Sequence, residues 1–367
     1  MIPHTFGESA PFSLGVEEEL MILDARSLDQ VPAVDRILAG VAGLELPGGL
    51  KTELFASVFE TATGVCADAV EVDAALRTLR RASATAAAAE GLAIAAAGTH
   101  PFARAEDQRV VDEERYTSFK RYGGVSVRRQ GVQGLHVHVG MPSGDACWRC
   151  LESILPWLPV VLALSANSPW LCGERTGMAS NRAPVLTQLP RAAGPPAFAS
   201  YPEWEAWVER LVLLGVTQDY TRIWWDVRPH PRFGTLEVRM PDQPTDVGLS
   251  SAFAALVQAL CAAALEGALP TNGLLLADRG RGDYAQNRWT AAHFGPRGEL
   301  LHPAGTSVAS ASELGDELIE LVRPFAVRLG AETLLERIDS KRCEADRQLV
   351  CATAHEAAAD LVARSVA

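Results

Sequence analysis

Residues 13–22 read SLGVEEELMI. In an extended chain successive side chains point to opposite faces, so Glu17 and Glu19 share one face. Leu14, Val16, Leu20 and Ile22 share the other with Glu18, which looks exposed on sequence pattern alone. Two carboxylates on one side and a largely apolar opposite side fit a sheet that is covered by helices on one face only. Taken alone, the run is equally a half-solvated strand with a glutamate-rich outer surface.

Two later stretches repeat the design. Residues 135–140, LHVHVG, put His136 and His138 on one face against Leu135, Val137 and Val139, a geometry suited to metal or phosphate contact. An HxH pair is weak by itself, and no HExxH pattern accompanies it. Residues 235–240, TLEVRM, place Thr235, Glu237 and Arg239 opposite the apolar Leu236, Val238 and Met240. Because those neighbours make the core contacts, replacing Glu237 is expected to spare the fold. Residues 51–65 add Glu53 and Glu60. Seven positions apart, they fall on opposite faces of a regular strand, so a bulge or turn must intervene if both serve one site.

If Glu17, Glu19, Glu53, Glu60 and Glu237 converge, each pair at about 4 Å repels by roughly 4 kcal/mol at an effective dielectric near 20. Bound cations relieve that repulsion. Oxygen-rich ligation with one or two imidazoles suits magnesium or manganese better than zinc, and magnesium commonly accompanies nucleotide phosphates. The metal therefore points to ATP, although no GxGxxG or GxxxxGK[ST] phosphate loop is present.

Helical patterning is expected over 68–91, 145–166 and 202–219, and with short interruptions over 247–269 and 312–367, with a buried strand at 92–98 and long irregular stretches at 167–201 and 271–305. Strands and helices are mixed without βαβ repetition, and we expect one domain over residues 1–367. The 367 residues carry 33 Lys plus Arg against 45 Asp plus Glu, which argues against a broad nucleic-acid surface. Seven cysteines without a repeating interval do not form a secreted framework, and the start MIPHTFGESA has no signal-peptide pattern, so a cytoplasmic location is expected. The apolar stretches 82–97 and 151–166 carry Glu90 and Glu152, and the second also holds Pro156 and Pro159; both read as buried rather than membrane-spanning. The CxxC pair Cys147 and Cys150, without a second pair, is set aside as incidental.

The motifs LGVEEEL, ELFASVFETATGV, GTHPF, GLHVHVG, NSPW, RTGMASNR, WWDVRPHPRFGTLEVR, NRWTAAHFG and EADRQ, in this order, resemble the bacterial glutamate–cysteine ligase type 2 family, or carboxylate–amine ligases, a branch of the glutamine synthetase superfamily. The resemblance implies an α+β fold: a curved, mainly antiparallel sheet with helices packed on its outer face. It implies that Glu17, Glu19, Glu53, Glu60, His136 and Glu237 hold two or three magnesium ions, with His138 near the nucleotide phosphates. The implied reaction is ATP-dependent: the γ-carboxylate of glutamate, or an analogue, becomes an acyl phosphate that an amine such as cysteine displaces.

Arg239 and Arg228 are candidates for the transferring phosphoryl group or the substrate α-carboxylate, since a guanidinium clamps either oxyanion. Arg239 is the stronger because it shares a strand face with Glu237. Arg182 and Arg288, in the two long loops, are candidates for covering the nucleotide. The loop QLPRAAGPPAF departs from the pattern expected around a standard amine pocket, so the acceptor is left open. A metal-dependent hydrolase, a guanidino-kinase-like phosphotransferase and a non-catalytic binder are the competing readings. A homodimer is compatible with all of them.

Overall fold

The alternation at 13–22 becomes β1 (Leu14–Asp24), the centre of a seven-stranded sheet. A computed structural model describes residues 2–270, 278–305 and 307–366. The other sheet strands are β2 (Gly48–Thr52), β3 (Val58–Thr63), β4 (Leu92–Ala95), β5 (Leu135–Gly140), β6 (Val227–His230) and β7 (Thr235–Val238). Their order is β6-β7-β5-β1-β3-β2, with β4 pairing the far end of β1, and every pairing is antiparallel. The expected α+β class with a mainly antiparallel sheet is what forms.

Helices cover the apolar face. The helix Ala69–Ala89 starts at Asp68, whose side chain accepts from the Val70 and Glu71 amides and so satisfies two free N-terminal donors. It buries Val72, Leu76, Leu79 and Ser83 at helical spacing and packs on the helix Val247–Leu265, which is buried on nearly every side. Gly144–Ile154 and Leu158–Ser165 form a second pair, joined through a short turn at Pro156. Cys147 and Cys150 are free thiols in this core.

Three sequence expectations change. Glu18 is fully buried, not exposed. It accepts two hydrogen bonds from Arg80, at 2.6 and 2.8 Å, one from Ser250 at 2.5 Å and one from Gln243 at 3.0 Å. Arg80 gives its remaining donors to the carbonyls of Pro244, Thr245 and Ser365. A strand face that packs on helices can take a carboxylate only when that charge is met in full.

Second, 271–305 is not irregular throughout, since Asp278–Phe294 is a helix; residues 271–277 lie outside the described residues. Polar residues disguise its inner face, where Tyr284, Asn287, Arg288 and Ala291 recur every three to four positions and are all buried. Third, the helix expected over 202–219 ends early, as Tyr201–Leu213.

Candidate active site

Register alone brings the candidate side chains together. Arg228 lies opposite Glu237, and Glu237 opposite His138; Glu17 lies opposite His136; Glu19 opposite Glu60, and Glu60 opposite Lys51. Directly paired residues share a face, so these rows form one polar surface on the side away from the helices. Glu53 joins it because β2 ends at Thr52 and the chain turns before β3. That turn is the interruption the seven-residue spacing required.

Among the described residues three groups offer ligand atoms mutually within 4.8 Å: Glu17, His138 and Glu237; Glu17, Glu60 and His136; Glu19, Glu53 and Glu60. His138, expected beside the phosphates, thus stands among the possible ligands. His136 Nδ1 lies 3.3 Å from Glu17, and His138 Nδ1 lies 2.9 Å from the Thr235 hydroxyl. In both rings Nε2 is buried without a hydrogen-bond partner. His136 Nε2 faces Glu19 at 3.8 Å, and His138 Nε2 faces Glu17 and Glu237 at 3.9 and 4.0 Å. A buried imidazole nitrogen turned towards carboxylates too distant to bond, with its other nitrogen held, fits a divalent-cation ligand. The oxygen-rich donor set fits magnesium or manganese.

The electrostatics point the same way. Burial, with the neighbouring charge of Glu53, pushes the Glu19 carboxyl up to about 7. Burial also raises Glu53, and burial together with the Glu17 charge raises Glu60 well above its ordinary value. At Glu237 burial is outweighed by Arg228 and Arg239, which hold it well below the usual carboxylate range. Burial, helped by the Arg239 charge, lowers His136 to about 3, which leaves its ring neutral and able to ligate. Lys51 bridges two of the carboxylates, with Nζ 2.6 Å from Glu60 and 3.3 Å from Glu17, while its own side chain stays 47% exposed.

The family model described as glutamate-cysteine ligase family 2 matches residues 13–363. The chain belongs to that family. A Rubrobacter xylanophilus protein provisionally named glutamate–cysteine ligase 2-3 is 40% identical over 347 residues, spanning 94% of this chain and 93% of its own. A Herpetosiphon aurantiacus protein provisionally named glutamate–cysteine ligase 2 is 35% identical over 342 residues, 92% of this chain and 88% of its own. Among solved structures, glutamate–cysteine ligase from Francisella tularensis in complex with AMP superposes with a TM-score of 0.72 at 14% identity, over 98% of this chain and 89% of that one. A bifunctional glutathione synthetase from Pasteurella multocida gives 0.68 at 14%, over 97% and 52%. These two structures establish the shared fold, and family membership makes the chain an ATP-dependent carbon–nitrogen ligase.

In this family-2 ligase a cavity of about 360 Å³ opens beside the acidic cluster, bordered by Glu19, Glu53, His136, Arg182 and Arg239. Arg239 donates to Glu237 and lies 3.5 Å from His136 Nδ1. Arg182 reaches the cavity under β7, donating to the carbonyls of Arg239 and Met240 at 2.9 and 3.1 Å. Its path explains Gly134, where an added Cβ would sit 2.1 Å from the Arg182 guanidinium. Arg182, expected in a loop, opens the short helix Arg182–Leu186, and the segment leading into it is anchored by Asp242, which accepts from the Asn167 amide and from the Ser168 and Ser180 hydroxyls.

The other two arginines face inward. Arg228 gives its donors to Glu237 and to the carbonyls of Thr221 and Ile223. Arg288 pairs with Asp226, 2.7 Å away, and with the Ala183 carbonyl. Neither borders the cavity.

Sequence reasoning did not single out Lys51, Arg115, Tyr116, Phe119, Arg222 or Trp224. Lys51 was detectable, since KTE sets it on the same face as Glu53 in an extended segment. The rest come from a helix and from the stretch before β6, where no strand alternation marks a face.

Proposed function

We propose that this ligase uses ATP and magnesium, with manganese as the substitute, to convert the γ-carboxylate of glutamate or a close analogue into an acyl phosphate and join it to an amine, by family default cysteine. A single catalytic domain over residues 1–367 would carry the reaction. The observation behind this reading is the convergence of Glu17, Glu19, Glu53, Glu60, His136 and Glu237 on one sheet face, beside a cavity lined by the arginines Arg115, Arg182, Arg222 and Arg239.

Divalent ions held by those six residues, with His138 as a further ligand, would neutralise triphosphate charge and the charge developing on the transferred group. Around them, Arg239 is oriented by Glu237, and Arg182 by two backbone carbonyls, so each presents its cation to the cavity without reorganising. Arg228 acts as a positioning residue by fixing Glu237, and Arg288 by fixing Asp226, whose carbonyl accepts from the Arg239 amide. In the first step a γ-carboxylate oxygen bonds to the γ-phosphorus of ATP as the bond to ADP breaks. In the second, the amine nitrogen bonds to the carbonyl carbon, phosphate leaves with one donor oxygen, and the amine loses a proton.

The decisive experiment starts from glutamate labelled with oxygen-18 in its γ-carboxylate. With ATP, magnesium and hydroxylamine, γ-glutamyl hydroxamate should form and one label atom should appear in phosphate; amide formation without label transfer would exclude the acyl phosphate. Family membership favours this reading over the hydrolase and the phosphotransferase. Glutamate-dependent ADP release separates it from the hydrolase, and free phosphate stoichiometric with ADP separates it from the phosphotransferase.

Two predictions concern the cations. Glu19, raised to about 7, favours folding of the metal-free protein below its unfolded value of 4.5, and that contribution is lost as pH rises through about 7. A cation needs the carboxylate, so its binding should expel a proton on the acid side of 7. Manganese affinity measured calorimetrically is therefore expected to fall by up to about tenfold per pH unit between about pH 7 and 5. A flat profile would remove Glu19 from the ligand set.

Lys51 supplies a cation to the same oxygens from an exposed position. Lys51→Met is expected to tighten manganese binding about tenfold, read by electron paramagnetic resonance, and to lower the melting temperature of the metal-free protein, since a buried like-charge cluster then loses its counter-charge. Unchanged affinity would mean that lysine and ion do not compete.

A cytoplasmic small-molecule enzyme acting on neither nucleic acid nor membrane, monomeric or homodimeric, completes the reading. The acidic balance supports it. So does the burial of the segments that, among the described residues, are helical, long and apolar enough to cross a membrane: Gly144–Ser165, which includes the turn at Pro156, and Val247–Leu265, whose apolar windows are 78% and 94% buried.

A further inference from the structure

Next to the cavity that borders Glu19 and Glu53 lies a second, of about 300 Å³, and the two share Phe119, Gln218, Arg222 and Trp224 as a common wall. The rings of Phe119 and Trp224 stack at 4.8 Å with 22° between their planes. Guanidinium groups cover both: Arg222 lies 5.3 Å from the Phe119 centroid and Arg191 lies 5.9 Å from that of Trp224. Arg191 donates to the Arg222 carbonyl, and Arg222 donates to the Arg115 carbonyl and the Gln218 side chain. Among the described residues neither has a carboxylate within ion-pair distance, whereas Arg228, Arg239 and Arg288 each do. Beyond the stacked pair the lobe is lined by Tyr122 and Val216, both large apolar side chains left open to solvent.

We propose that this second lobe is the acceptor's side-chain site, and that the acceptor is an α-amino acid with a bulky aromatic or branched apolar side chain rather than cysteine. The inference rests on the ligase reading above and concerns only which amine is joined. The acceptor's amine faces the first cavity, beside the cluster where the proposed acyl phosphate forms. Arg222, a cation without an internal counter-charge that lines both cavities, meets its α-carboxylate. The side chain then lies in the lobe along the edges of Phe119 and Trp224 and against Tyr122 and Val216, where an apolar side chain gains burial and edge contacts. A thiol on one methylene would leave most of a 300 Å³ lobe to water. A site that recognises an acceptor by apolar area discriminates by contact with the missing atoms, so truncating the acceptor and truncating the wall should have related effects.

The test uses the full chain with ATP, magnesium and glutamate, following ADP and identifying the product by mass, with phenylalanine, leucine, cysteine and alanine as acceptors. Phenylalanine or leucine is expected to exceed both cysteine and alanine by at least about tenfold in kcat/KM, the scale set by one to a few methylenes in an apolar pocket. Trp224→Ala should cut the phenylalanine-to-alanine ratio by about tenfold. Arg222→Gln should raise KM for both acceptors while leaving their ratio nearly unchanged. A ratio cannot be moved by a general loss of folded enzyme. A preference for cysteine or alanine, or a ratio indifferent to Trp224, overturns the proposal even though ligation proceeds. Absence of both ADP and γ-glutamyl hydroxamate under hydroxylamine overturns the ligase reading itself, and this inference with it.

Discussion

Glu237→Gln is expected to lower ligation by roughly three orders of magnitude, on the scale of removing a preorganised charge-stabilising group. The carboxylate does three things at once. It stands with Glu17 and His138 around one possible cation position, and it orients Arg239 at the cavity. It also accepts two hydrogen bonds from Arg228. The sequence expectation that replacing Glu237 would spare the fold is revised here, because the side chain is 1% exposed and neutralises the buried Arg228 guanidinium as well as that of Arg239 at the cavity edge. Breaking such an arrangement from one side costs about 3–5 kcal/mol. The variant should therefore show a lowered urea midpoint as well as lost turnover. Near-native turnover in protein that binds manganese normally would remove Glu237 from the site.

Arg80→Met should destabilise the protein by about 3–5 kcal/mol, because it strands the Glu18 carboxylate in the core and leaves three backbone carbonyls without their donor. Those contacts tie β1 to the helix Ala69–Ala89, to residues 244–250 and to the helix Ala354–Arg364 through its capping residue Ser365. The double variant Glu18→Leu with Arg80→Met should recover a good part of the loss, since an apolar pair of similar size carries no desolvation cost. Urea denaturation of the three variants measures this directly. If the double variant is as unstable as the sum of the two singles, the pair is not an isolated electrostatic unit and the carbonyl contacts dominate.

Glu18 also marks the limit of reading a strand from its alternation. Period-two patterning assigned Glu17 and Glu19 to the polar face, and they stand there. It assigns Glu18 to the helix-packed face, where a charge is out of place by pattern and therefore reads as exposed. The partner that makes it tolerable is 62 residues away on a helix, and helical spacing alone presents Arg80 as an ordinary charged position. Likewise Arg228 and Arg239 look alike in sequence, each on a strand beside a conspicuous motif. Only the β6–β7 register and the carbonyls of Thr221 and Ile223 separate the one that faces inward from the one that borders the cavity.

By itself the sequence determined the mixed α+β class, the three strands with one chemical and one apolar face, and the set of carboxylates and imidazoles available to a site. These follow from local rules: alternation in strands, helical spacing, and the repulsion that confines several glutamates to one face only if something neutralises them. Tertiary structure alone decided which of those groups meet. Antiparallel register set Glu19 against Glu60 and His138 against Glu237, and a turn between β2 and β3 brought Glu53 to the same face. It also built the cavity wall from Tyr116, Phe119, Arg222 and Trp224, drawn from a helix and a loop far apart in the chain. Pairing between distant segments is selected by the total burial and hydrogen bonding of the whole sheet, a sum that no short window of sequence contains.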